Sequence, residues 1–202
     1  IGCAVLTGFG AITRTAGLRP GETVAVVGCG GIGLSAINAA AIAGAGRIVA
    51  IDRIPAKEDL ARRFGATDFI DASAGDAARQ VRGMTNGGVH HAIEAVGLAA
   101  TAEQAFAMLR RGGVATIVGM IPVDQTVSIP GWQLLGEKTL RGSLMGSNIF
   151  PVDVPRLVDF YLTGKLHLDA LISRRIPLEQ VNEAFAEMKG GAIARSVVTF
   201  GA

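Results

Sequence analysis

Between Thr23 and Gly46 the chain runs 24 residues without a charged side chain, and Gly28, Gly30, Gly31 and Gly33 crowd into six positions of it. The length alone would suit a membrane span. Four clustered glycines would weaken any single helix there, so the stretch is read as three pieces. Thr23 to Gly28 (TVAVVG) is an apolar strand. A glycine turn follows. Gly31 to Ala45 is a helix of small residues, able to lie close on a sheet. Arg47 to Asp52 (RIVAID) is then a second strand, ending on an acid 19 residues past Gly33. Two strands joined through a helix run parallel, and a parallel sheet needs cover on both faces.

The rest of the chain supplies that cover. Ala4 to Ala16 reads as an opening helix, stopped by Leu18-Arg-Pro-Gly21. Pro55 to Phe64 is a charged helix with Pro55 in its first turn and Gly65 after its end. Asp68 to Asp71 is a short third strand and Asp76 to Met84 a helix. Val89 to Ala95 is the fourth strand, Thr101 to Arg111 a helix stopped by Gly112-Gly113, Val114 to Gly119 the fifth strand and Thr139 to Leu144 the sixth. Val152 to Thr163 and Leu178 to Met188 are helices, and Ser196 to Phe200 is a closing strand. The predicted fold class is α/β: a doubly wound, six-stranded parallel sheet of the Rossmann type with a C-terminal helical tail. Residues 1–151 form the core. Residues 152–202 pack on it and link it to a further domain.

Composition excludes several classes. Lys and Arg exceed Asp and Glu by only two, 19 against 17, with no run of like charge. Neither a nucleic-acid footprint nor a polybasic membrane surface is present. Glycine, 28 of 202 residues, is roughly twice ordinary usage but has no collagen-like period. Half of the residues are hydrophobic, which excludes disorder. Two cysteines, Cys3 and Cys29, make no disulfide framework, so a reducing, cytoplasmic setting is expected. The opening IGCAVLTGFG has neither a basic segment nor a cleavage site of the secretory kind, and reads as a cut inside a longer protein.

The loop Gly28-Cys29-Gly30-Gly31-Ile32-Gly33 matches G-x-G-x-x-G, and here it follows a strand, opens a helix and precedes an acid-ended strand. In that setting Gly28 permits a tight turn, Gly30 lets a pyrophosphate approach the backbone, and Gly33 lets helix and strand pack closely. The amides near Gly31 and Ile32 face the diphosphate at the helix N-terminus. Asp52 would accept the adenosine ribose hydroxyls and repel a 2′-phosphate, which favours NAD over NADP. Arg53 leaves two readings, a holder of that phosphate or a cation that is solvated or lies over adenine. Lys57 either reaches the ribose or is surface. Cys29 needs no role. His90 and His91 alternate to opposite faces of their strand and cannot bind one metal together. Glu94 is either a buried carboxylate near the crevice or one that is solvated or partnered.

Cys3-Ala-Val-Leu-Thr7-Gly8-Phe9-Gly10, Val24 to Gly33, Asp52, and Gly88-Val89 to Gly97 together resemble the medium-chain, zinc-dependent alcohol dehydrogenases. The likeness covers nearly all of the chain, through Leu168-Asp-Ala-Leu-Ile172 and Arg195. It implies that Cys3 is one protein ligand of a catalytic zinc and that Thr7 lies near the nicotinamide. Gly28, Gly30, Gly31, Ile32 and Gly33 match the diphosphate loop, and Asp52 and Lys57 the adenosine-ribose site. Val96 would sit by the cofactor. Val118, Ser143 and Met145 align with positions beside the nicotinamide or its carboxamide, and Arg195 with an arginine on the diphosphate. Ile129 to Leu144 corresponds to a dimer edge. His90 stands where many relatives carry Asp.

The resemblance implies NAD-dependent oxidation of an alcohol to an aldehyde or ketone, by a homodimer or homotetramer. The other zinc ligands, the proton relay and most of the substrate pocket belong to a part of the family that these residues do not include. The chain alone is therefore expected to bind NAD, to lack turnover and to hold zinc only within a longer enzyme. Two alternatives stand: a zinc-free quinone or enoyl reductase, and a dinucleotide-sensing module without chemistry of its own.

Overall fold

In the computed structural model, which describes residues 1–191 and 194–200, six parallel strands form one sheet. They are β1 (Thr23–Val27), β2 (Arg47–Asp52), β3 (Asp68–Asp71), β4 (Val89–Glu94), β5 (Leu109–Ile117) and β6 (Thr139–Gly142). Their order is β3-β2-β1-β4-β5-β6, every neighbouring pair parallel. The order reverses between β1 and β4, so a crevice opens at the carboxyl ends of these two strands. This is the doubly wound α/β arrangement expected from the sequence. Residues 192, 193, 201 and 202 of the expected C-terminal segment lie outside the described residues.

Among the described residues seven α-helices accompany the sheet: α1 (Cys3–Gly10), α2 (Gly31–Ile42), α3 (Glu58–Arg63), α4 (Ala77–Met84), α5 (Ala99–Ala107), α6 (Phe150–Leu162) and α7 (Val181–Lys189). Alternation along β1 decides which layer each side chain joins. Val24 and Val26 pack with Ile12, Leu34, Ile37 and Leu157 on one face. Ala25 and Val27 pack with Ile51, Val81 and Phe106 on the other. Each buried aliphatic side chain contributes about 1.5–3 kcal/mol. The uncharged stretch is thus β1, a turn and the 12-residue α2. Among the described residues no helix is long and apolar enough to cross a membrane.

Several boundaries differ from the sequence reading. The helix predicted to Arg111 ends at Ala107, and β5 begins at Leu109. Gly112-Gly113 does not separate helix from strand. It forms a bulge inside β5, where the register against β4 jumps from Val89↔Leu109 to His91↔Val114 and Gly112 has φ +69°. The opening helix changes winding at Ala11: Ala11–Ala16 is a π-helical turn, ended by Gly17 in the left-handed region. The helix predicted from Val152 begins at Phe150, with Pro151 in its first turn. The closing strand is β8 (Ser196–Val198). It pairs in parallel with β7 (Arg174–Ile176), a strand not predicted, in a separate two-stranded sheet.

Candidate functional site

Gly28 follows β1 with φ +95°, a left-handed conformation that favours glycine, and turns the chain under Val96. A Cβ at Gly28 would lie 2.7 Å from Val96 Cγ2. At Gly33 a Cβ would overlap the carbonyl oxygen of Gly28, so the first turn of α2 rests directly on the loop. Gly30 is different. Its backbone is extended (φ −85°, ψ −170°), which any residue adopts, and nothing lies within 4 Å of where its Cβ would be. The missing side chain leaves open space beside the N-terminus of α2.

That helix end has no side-chain cap. Its first intrahelical bond runs from Leu34 N–H to Gly30 O at 2.8 Å, so the N–H groups of Gly31, Ile32 and Gly33 precede the ladder. Such an end holds an anion. Arg195 Nη2 lies 3.9 Å from the Cβ position of Gly31. Ser173 holds Arg195 there: its N–H donates to Arg195 O at 2.8 Å, and its hydroxyl accepts from Arg195 N–H at 3.3 Å. The small β7–β8 sheet therefore delivers a guanidinium to the glycine loop.

Asp52 is buried at the end of β2. Its Oδ2 accepts Cys29 N–H at 2.7 Å and Lys57 Nζ at 2.9 Å, and its Oδ1 accepts Ile54 N–H at 3.1 Å. A carboxylate has roughly four acceptor sites, so one remains for a ligand. Lys57 is not a surface side chain. It is 12% exposed and ion-paired to Asp52. Arg53 is exposed, with no hydrogen bond or ion pair among the described residues. Burial, together with the Asp52 carboxylate, pushes the Cys29 thiol up to about 12, leaving it protonated and inert.

Glu94, fully buried at the end of β4, resolves the question that the sequence left open. Its Oε1 accepts Val96 N–H at 2.8 Å, Gly97 N–H at 2.7 Å and the Thr101 hydroxyl at 2.8 Å. The carboxylate folds the chain back so that Val96 stands half-exposed over the crevice. Glu94 O also accepts Val118 N–H at 2.9 Å, tying the exit of β5 to the same point.

A second group gathers on α1. Cys3 is exposed at its start, with Sγ 3.9 Å from the hydroxyl of Thr7, which is buried. The loop after β6, residues 143–148, lies against this helix at Met145–Ser147, while Ser143 meets Thr15 in the π-helical turn that continues it. Asn148 Nδ2 donates to Leu6 O at 2.7 Å. Gly8 joins the two groups, because a Cβ there would lie 2.5 Å from Ile32 O on α2. The sequence reading missed Thr15, Ser147 and Asn148. Each has a partner more than 125 residues away in the chain, which no local spacing signals.

His90 and His91 point apart as expected and serve the amino end of β4, away from the crevice. His91 Nε2 meets Glu22 at 2.8 Å, and His90 contacts Thr23 and Arg110. Among the described residues no three His, Cys, Asp or Glu side chains converge to hold a metal. A zinc site needs at least three protein ligands, so Cys3 alone does not make one.

The family model described as "Zinc-binding dehydrogenase" matches residues 31–163. The class-3 alcohol dehydrogenase of Myxine glutinosa is 40% identical over 201 residues, 98% of this chain and 54% of the relative. Benzyl alcohol dehydrogenase from Acinetobacter calcoaceticus superposes with a TM-score of 0.94 at 29% identity, covering 99% of this chain and 55% of that one. A zinc-binding dehydrogenase from Sinorhizobium meliloti 1021, solved with NADP, superposes with a TM-score of 0.87 at 31% identity, over 98% of this chain and 58% of that one. The chain spans about half the length of the curated relatives it matches. A glycine loop with its acid, on a doubly wound sheet matched over most of its length, places this chain in the zinc-binding dehydrogenase family.

Proposed function

We propose that this chain is the NAD-binding portion of a zinc-dependent alcohol dehydrogenase that converts an alcohol to an aldehyde or ketone. The observation that carries the reading is Asp52, anchored to the glycine loop through Cys29 N–H with one acceptor site free beside open space at Gly30. A ribose would donate to Asp52, with Lys57 alongside. The diphosphate would lie on the N–H groups of Gly31, Ile32 and Gly33, with Arg195 opposing its charge. Val96, Val118, Thr7, Ser143 and Met145 would border the nicotinamide and fix its orientation, the main service a protein gives a hydride carrier. NAD supplies the hydride acceptor, and zinc, when bound, supplies Lewis acidity.

The donor set of these residues does not fit a zinc ion by itself. Cys3 is therefore assigned as one ligand among others contributed from outside the 202 residues. Cys3→Ser in the longer protein should lower its zinc content, and an unchanged content would remove the assignment.

The nucleotide reading is tested by calorimetric titration of this chain with NAD and with NADP, beside Asp52→Ala. Saturable NAD binding that weakens in the variant supports it, and binding of neither nucleotide rejects it. A second reading, tolerance of NADP, draws on the exposed Arg53 beside Asp52 and on the NADP of the Sinorhizobium relative. Equal affinities for the two nucleotides would favour it.

The same reading takes the chain as a homodimer or homotetramer through the 129–144 edge. The open edge of β6 and the exposed Trp132, Leu134 and Leu135 beside it support this. Leu135→Asp should shift the sedimentation coefficient to that of a smaller species.

A further inference from the structure

The loop after β6 is held in place by four side chains, of which only Ser143 is among the proposed cofactor contacts. We infer that Thr15, Ser143, Ser147 and Asn148 are positioning residues that preset the pocket for the second, non-adenosine nucleotide of NAD. The inference rests on the dinucleotide reading above.

Three hydroxyls form a chain. Thr15 Oγ1, in the π-helical turn, lies 2.6 Å from Ser143 Oγ and 3.0 Å from Ser147 Oγ. Thr15 and Ser143 are buried. A hydroxyl has one donor and two acceptor sites, so Thr15 satisfies both serines from the centre. The loop that they hold is not a relaxed one. Met145 (φ +49°) and Ser147 (φ +53°) both adopt the left-handed region that favours glycine. Such a backbone persists only when its surroundings over-determine it.

The surroundings do so. Asn148 Nδ2 donates to Leu6 O on α1 and also to Met145 O. A Cβ on Gly146 would come within 2.7 Å of the carbonyl oxygens of both Leu6 and Thr7. A Cβ on Gly10 would overlap Gly146 O. The loop is pressed flat on α1 by close backbone approach and pinned at both ends by side chains.

Its location gives this clamp a use. The two halves of a doubly wound sheet each take one mononucleotide. Asp52 and the glycine loop serve the half built on β1 to β3. The 143–148 loop leaves the carboxyl end of β6, in the other half, and Ser143 N–H still bonds Ile117 O at 2.9 Å. A strained, pinned loop there presents backbone groups already in place, so a ligand spends little of its binding energy on ordering them.

The test compares NAD with ADP-ribose, which lacks the nicotinamide, by calorimetric titration of the chain. Thr15→Val keeps the shape and deletes the central hydroxyl. It should raise the Kd for NAD about three- to tenfold, the effect of one lost hydrogen bond, and leave that for ADP-ribose within about twofold. Thr15→Ser should restore NAD binding. Ser147→Ala, at an exposed position that does not endanger folding, should show the same selective loss. Equal weakening toward both ligands in both variants would mean a general effect on folding and would overturn the inference, as would unchanged NAD affinity. A parent chain that binds ADP-ribose but gains nothing from the nicotinamide also overturns it. A parent chain that binds neither ligand overturns the dinucleotide reading itself.

Discussion

The carboxylate of Asp52 accepts a hydrogen bond from the backbone N–H of Cys29 at 2.7 Å, across 23 residues of chain. The acid at the end of β2 therefore shapes the glycine loop as well as facing the crevice. Replacing it with alanine leaves a buried N–H and the Lys57 ammonium without their acceptor. Asp52→Ala should cost about 1–3 kcal/mol of stability in urea unfolding. It should also weaken NAD at least about tenfold in calorimetry, because a charge-assisted contact is lost as well. Loss of stability with unchanged affinity would reduce Asp52 to a structural role.

Gly30 and Gly33 separate space for a ligand from space for the fold. A methyl group at Gly33 meets the Gly28 carbonyl, backbone that cannot yield cheaply. Gly33→Ala should lose about 1–3 kcal/mol or more to overpacking. At Gly30 the methyl meets nothing, so Gly30→Ala should melt within a few degrees of the parent chain while losing NAD binding. A Gly30→Ala chain that binds NAD normally would remove the diphosphate from this spot.

Arg47 holds the Asp68 carboxyl at about 2, below its ordinary 3.8, through bonds of 2.8 Å to both oxygens. A lowered folded-state value means that this stability is present above the ordinary value and is lost as pH falls from about 4 toward 2. The pair is partly exposed, so the effect is small. Urea midpoints at pH 5 and pH 2.5 should differ more for the parent chain than for Asp68→Asn.

Thiol chemistry should tell the two cysteines apart. Cys3 is exposed, whereas Cys29 is buried with its thiol pushed up to about 12. An aromatic disulfide reagent at pH 8 should release one equivalent of thiolate quickly. The second should appear only on adding denaturant, since the thiolate is the reacting form. Fast release of both would contradict the packing of Cys29 beneath the loop.

Much of this architecture was legible because its signals are local. The continuous apolar run TVAVV, small residues along α2 and the glycine spacing each act within a few positions, and together they located β1, the turn, α2 and Asp52. The misplaced end of α5 shows where local signals mislead. Leu109-Arg110-Arg111 suits a helix as well as a strand, and only the pairing of Leu109 with Val89 on β4 draws it into β5.

The sequence by itself determined a doubly wound sheet and a glycine loop with its acid. Periodicity and glycine sterics depend on near neighbours alone, so those could be read in a line. Tertiary structure alone decided that Lys57 pairs with Asp52, that Glu94 ties down the Val96 turn, and that Thr15 reaches Ser143 and Ser147. Each depends on which polar atoms remain unpaired after the layers close. A buried donor or acceptor must find its partner wherever the fold has brought one, whatever the distance along the chain.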